Sequence, residues 1–205
     1  MRGPTRRGGP AVPPSPGRPW DRKMARYELD GKPIPSVTEI LAEILGVGWQ
    51  AGEFYLQRGR AVHACAALIA KGKDFEYDPQ IAGQVQACRK FFEVFKPEVI
   101  AVEAPMISEL YQFAGTADLI ARINGKKCVV DYKASIPKTA ILQLAGYAEL
   151  FDLKWGMPVV LGENGNFRPG KIVDLKIPRR KFLALLTTYN VKRELGLLKG
   201  EAEHE

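Results

Sequence analysis

From Tyr27 onward the apolar residues fall into two rhythms. Spacings of three and four mark helices: Val85, Cys88, Phe91, Phe92 and Phe95 share one stripe and predict an amphipathic helix over 79–95. Two helices are expected ahead of it. One spans Val37–Leu45, opened by Ser36 with Glu39 three residues on, the pattern of a capping box. The other covers 53–71 and stops at Gly72. Denser β-branched runs predict strands in YELDGKPIP, EVIAVEAPMI, MPVVLGE and GKIVDLKI. PKTAILQLAGYAELF reads as a helix with proline in its first turn, and a last helix is expected over 178–198.

The stretch GTADLIARINGKKCVVDYKAS carries the sharpest local signal. Asn124-Gly125 is the preferred centre of a two-residue hairpin turn, so Ile123 faces Lys126, Arg122 faces Lys127, and the same count sets Asp118 against Asp131. Alternation puts Lys133 on the face of Asp131. Like charges opposite one another on a sheet destabilise it, so this patch calls for solvent or a cation between the carboxylates. A hard divalent ion with carboxylate ligands and a neighbouring ammonium would suit phosphate chemistry. A solvated hairpin with one salt bridge is the plainer alternative. The order of helices, three meandering strands, helix, strands, helix predicts an α/β fold with a mixed sheet flanked by helices.

Composition narrows the class. The chain has 205 residues, 46% of them hydrophobic, which suits a domain with its own core. Its longest apolar run in a helical pattern, AVHACAALIA, is too short to cross a bilayer, and no signal peptide opens the sequence, so an intracellular, cytoplasmic protein without a membrane partner is expected. Cys65, Cys88 and Cys128 are odd in number, far apart and set in apolar runs, which predicts reduced core thiols. The net charge of +7 is uneven: residues 1–26 hold seven Lys or Arg and one Asp, leaving +1 for the rest. Residues 1–23, rich in Pro, Gly and Arg, are expected to be a disordered basic tail, with the folded domain over 24–205. The tail reads as an arm for nucleic acid, as a targeting peptide, against which its proline content argues, or as translation upstream of a natural start at Met24.

Taken in order, His63 in RGRAVH, Asp118 in GTAD, Asp131-Tyr132-Lys133, and Gln143 with Tyr147 in QxxxY resemble the PD-(D/E)XK nuclease superfamily, and within it the RecB-type exonuclease branch. PSVTEIL at 35–41 is similar to the opening of phage-type and mitochondrial single-strand exonucleases. The resemblance covers about 27–147. It implies a restriction-endonuclease-like fold and a Mg²⁺- or Mn²⁺-dependent DNA nuclease, more an exonuclease than an endonuclease, serving recombination, repair or phage replication in a bacterial or phage setting. A structure-specific endonuclease and an inactive DNA-binding module of the same fold are the rivals.

The resemblance makes His63, Asp118, Asp131 and the Tyr132 carbonyl metal ligands and gives Lys133 the attacking water. For His63 a packed core position is the competing reading, and Glu103 on the preceding strand is either a second carboxylate or a solvated strand end. Gln143 and Tyr147, four apart and so on one helix face, would support the site and meet DNA. Arg58, Arg60 and Lys138 flank the set as phosphate contacts or as ordinary surface charge. Some relatives in this branch hold an iron–sulfur cluster on four cysteines; with three, none suitably placed, this chain is expected to have none. It also lacks a GxxxxGK[ST] phosphate loop, so the substrate would be single-stranded or end-accessible DNA, or a recombination or helicase partner would separate the strands.

Overall fold

The computed structural model describes residues 27–47 and 53–198. The basic tail, and with it the start at Met24, lies outside the described residues. A small antiparallel pair, β1 (Tyr27–Leu29) and β2 (Lys32–Ile34), leads into helix α1 (Val37–Leu45). Ser36 caps α1 as expected: its hydroxyl accepts from the Glu39 N–H, and the Glu39 carboxylate accepts from the Ser36 N–H at 2.6 Å. Helix α2 (Glu53–Ala70) ends before Gly72, and helix α3 (Ala82–Phe95) follows a 3-10 turn at Pro79–Ile81.

The main sheet has six strands: β3 (Glu98–Ser108), β4 (Phe113–Ile123), β5 (Lys126–Lys133), β6 (Trp155–Leu161), β7 (Phe167–Pro169) and β8 (Val173–Asp174). The order is β3-β4-β5-β6-β7, with β8 also pairing β6. Among the described strands only β5 and β6 run parallel, and helix α4 (Ala140–Leu150) makes the crossover between them. Helix α5 (Lys176–Glu194) closes the fold. This is the mixed α/β sheet flanked by helices that the element order predicts.

Two apolar layers sandwich the sheet. On one face α1, α4 and α5 bury Val37, Ile40, Leu144 and Phe182 against Ala117, Ile120 and Val129. On the other, α2 and α3 bury Ala66, Cys88 and Phe91 against Leu119, Ala121, Cys128 and Val130. All three cysteines are free and buried, as expected of core thiols.

The hairpin forms with the predicted register: Ile123 pairs with Lys126 and Arg122 with Lys127, and Asn124 and Gly125 both have positive φ, 49° and 74°. The ladder ends at Leu119 and Val130, one step short of the two aspartates, while on its other edge β5 stays paired with β6 from Cys128 to Lys133. Two strand assignments change. GKIVDLKI contributes only the two residues of β8, because its tail already starts α5. FRP, with an arginine and a proline and no periodicity, supplies β7.

Candidate metal centre

Three adjacent strands and one helix supply the charged group. Val102 pairs with Leu119 and Ala104 with Ala117, which sets Glu103 of β3 at the register position of Asp118 in β4. Asp131 follows on β5. From α2, the His63 imidazole reaches over so that its Nδ1 lies 3.1 Å from Asp118 Oδ1.

The backbone is unusual at this row. Glu103 has φ +46°, a left-handed conformation in mid-strand that non-glycine residues seldom adopt. Side-chain alternation breaks there too. Ala101 and Ala104 both pack on the α1/α4/α5 layer although three apart, while Val102 packs on the other. On β4, Ala117 and Leu119 sit on opposite layers although two apart. Both strands roll over at the two acids.

Ligand atoms of His63, Glu103 and Asp118 all lie within 4.8 Å of one another. Asp118 is tied on both oxygens: Oδ2 accepts the Tyr132 N–H at 2.8 Å, fixing β4 to β5 beyond the end of the ladder. The chain around Asp118 is buried, at 9% exposure, as are Asp131 at 2% and Lys133 at 8%. That excludes a solvated hairpin with surface charges. The Lys133 ammonium stands 3.0 Å from Asp131 Oδ2 and donates to Gln143 Oε1 at 2.8 Å, and Gln143 Nε2 donates to the Tyr147 hydroxyl at 3.0 Å. Tyr147 is seated by Gly115: a Cβ at that glycine would come within 2.9 Å of the tyrosine ring. The GTAD and QxxxY segments are thus in direct contact.

The protonation pattern shows excess negative charge. Burial is the largest influence on His63 and works against its charge, but Asp118, Asp131 and Glu103 outweigh it and lift the imidazole to about 9. Burial also raises Asp131, to about 6, with Lys133 pulling the other way and Asp118 adding to the rise. The raised His63 keeps a positive charge 3.1 Å from the Asp118 carboxylate.

The residues fit a divalent ion. Two carboxylates and an imidazole converge, and Asp131 Oδ2 is a buried oxygen without an aligned hydrogen bond beside them. Asp131 is outside the group gathered within 4.8 Å, and Glu103 is inside it. The remaining predicted residues divide. Lys138 and Arg60 are exposed, in the turn before α4 and on α2. Arg58 uses its guanidinium elsewhere, donating to Gln80 O at 3.1 Å and pairing with Glu163 at 2.9 Å, which braces α2 against the 3-10 turn before α3 and the β6–β7 turn.

No family model and no curated protein matches the chain. Solved structures do align with it. An alkaline exonuclease (LHK-Exo) from Laribacter hongkongensis is 12% identical, with a TM-score of 0.39, over 78% of this chain and 92% of that one. A phage related exonuclease from Haemophilus somnus 129PT is 14% identical, with a TM-score of 0.42, over 79% of this chain and 96% of that one.

Proposed function

We propose that the chain is a metal-dependent nuclease that hydrolyses phosphodiester bonds in DNA. One observation carries this reading: a buried ammonium, Lys133, is held by Asp131 and Gln143 beside the converging ligands His63, Glu103 and Asp118. A purely structural ion pair has no need of a histidine and two further acids at its side.

His63, Glu103 and Asp118 would hold the ion, with Asp131 and the Tyr132 carbonyl as further ligands on the β5 side. Mg²⁺ or Mn²⁺ suits this mostly oxygen set, and such an ion supplies Lewis-acid charge and an activated water. Lys133 keeps its ammonium aimed because Asp131 and Gln143 restrain it, and Tyr147 restrains Gln143. From there it orients the attacking water and offsets charge gathering on the phosphate oxygens. Water adds to phosphorus, the P–O bond to the leaving strand breaks, and a proton goes to the departing oxygen.

An exonuclease working on single strands or free ends in a bacterial or phage cytoplasm is the finer form of the proposal, supported by the sequence resemblance. Incubation with end-labelled linear and closed circular DNA, single- and double-stranded, with Mg²⁺, Mn²⁺ or EDTA tests it. Linear DNA should be degraded with metal only; cut circles would replace the exonuclease with an endonuclease. Lys133→Ala should abolish cleavage while DNA binding persists. Turnover near wild type in that variant would remove the catalytic assignment.

A further inference from the structure

The helix that carries His63 does little to hold its imidazole. Side chains on a helix lean back over the preceding turn, and the turn before His63 begins at Gly59, which has no side chain and no atom within 4 Å of where a Cβ would stand. The contact between His63 Nδ1 and Asp118 Oδ1 steadies the ring only in the metal-free state, because an ion held by both residues competes for the same two groups. A further contact is of another kind. The Tyr132 ring meets the imidazole edge to face, with centroids 6.3 Å apart and an interplanar angle of 85°. Ligation leaves that contact in place.

Tyr132 is itself firmly seated. It shares the face of Cys128 and Val130 on β5, so its side chain enters the layer beneath α2 and α3, where it is 3% exposed. Phe91 of α3 stands 6.3 Å from it at 82°, and Phe95 at 5.3 Å and Phe167 at 5.8 Å fix Phe91 in turn. A ring planted in such a cluster gives little when the imidazole presses on it. The main chain of the same residue donates to Asp118 Oδ2 at 2.8 Å, so Tyr132 reaches two of the converging ligands by two routes. Its hydroxyl is buried without a hydrogen-bond partner among the described residues, which leaves the ring as what this side chain offers its neighbours.

We propose that Tyr132 is a positioning residue of the metal centre, its ring holding the His63 imidazole in place for the ion. This rests on the metal-dependent reading above and adds to it the side chain of a residue that entered there through its carbonyl alone.

The test is a double-mutant cycle on the full chain, with Mn²⁺ affinity read from how the melting midpoint rises with Mn²⁺ concentration. Tyr132→Phe keeps the ring and should bind Mn²⁺ within about twofold of wild type. Tyr132→Leu removes it and should weaken Mn²⁺ binding about tenfold, the scale of groups that orient a metal ligand. Tyr132→Met, whose flexible side chain refills the space, is a second ring-free variant and should match it. His63→Ala should also weaken binding, and in that background Tyr132→Leu should cost no more than about a further twofold. Lost packing alone would lower the midpoint in EDTA and leave the affinity unchanged. A ring-free variant with wild-type affinity would overturn the proposal. So would an equal loss with and without His63, since the ring would then act through Asp118 or the sheet, and so would a Tyr132→Phe variant that falls with the ring-free ones. Each of these leaves the metal centre standing. A wild-type midpoint that ignores Mn²⁺ would remove the metal centre and this role together.

Discussion

Asp131 is where the chemistry of a single side chain can be separated from its packing. Burial is the main reason its pKa lies near 6, and Lys133 offsets only part of that. A carboxyl raised above its unfolded value makes ionisation at neutral pH a cost to the folded state. Replacing it by the neutral isostere in Asp131→Asn should therefore leave the melting temperature in EDTA at or above that of wild type at neutral pH. Added Mn²⁺ should raise the wild-type midpoint, because an ion that binds only the folded chain stabilises it by mass action, and should raise the variant less. If the main work of Asp131 were to neutralise Lys133, the variant would melt well below wild type in EDTA and neither protein would respond to metal. Thermal melts of both proteins, with and without metal, decide between these outcomes.

The elements that could be read from the sequence are those whose signals are local. Asn124-Gly125 sets the hairpin turn and its register, and Ser36 with Glu39 caps α1, because each needs only its near neighbours. The contact of Lys133 with Gln143 was half legible, since the QxxxY spacing places two side chains on one helix face but says nothing of what lies opposite. For Glu103 the sequence offered two readings, a second carboxylate or a solvated strand end, and could not choose between them. Its proximity to His63 and Asp118 depends on a left-handed residue in mid-strand, and glutamate carries no propensity that announces one. Strain of this kind persists where the surroundings impose it, often at functional sites. Asparagine tolerates that conformation better than other residues and is neutral. Glu103→Asn should consequently melt at or above wild type in EDTA, show a smaller rise with Mn²⁺, and lose most cleavage activity. A variant with an unchanged metal response would make the kink a feature of the sheet alone.

Across the whole molecule, folding gathers acids from three strands and a histidine from a distant helix into one place, so the folded chain holds protons that the unfolded chain would release. Both shifted groups of the centre act in the same sense. Asp131 moves up from 3.8 to about 6, and His63 from 6.5 to about 9. A raised pKa contributes stability that is complete below the unfolded value and lost as pH climbs through the folded one. The Asp131 contribution therefore disappears between about pH 4 and 6, and that of His63 between 6.5 and about 9. In EDTA the melting temperature should fall steadily as pH rises from about 6 to about 9. Metal ligands must shed those same protons before they bind, so affinity for the ion rises over the same range. The stabilisation given by Mn²⁺ should accordingly be larger near pH 9 than near pH 6, flattening or reversing the slope seen in EDTA. Melting curves at matched ionic strength, with EDTA and with Mn²⁺, measure both slopes. A metal-free protein that grows more stable through this window would mean that His63 keeps an ordinary pKa and that the acids do not share its charge.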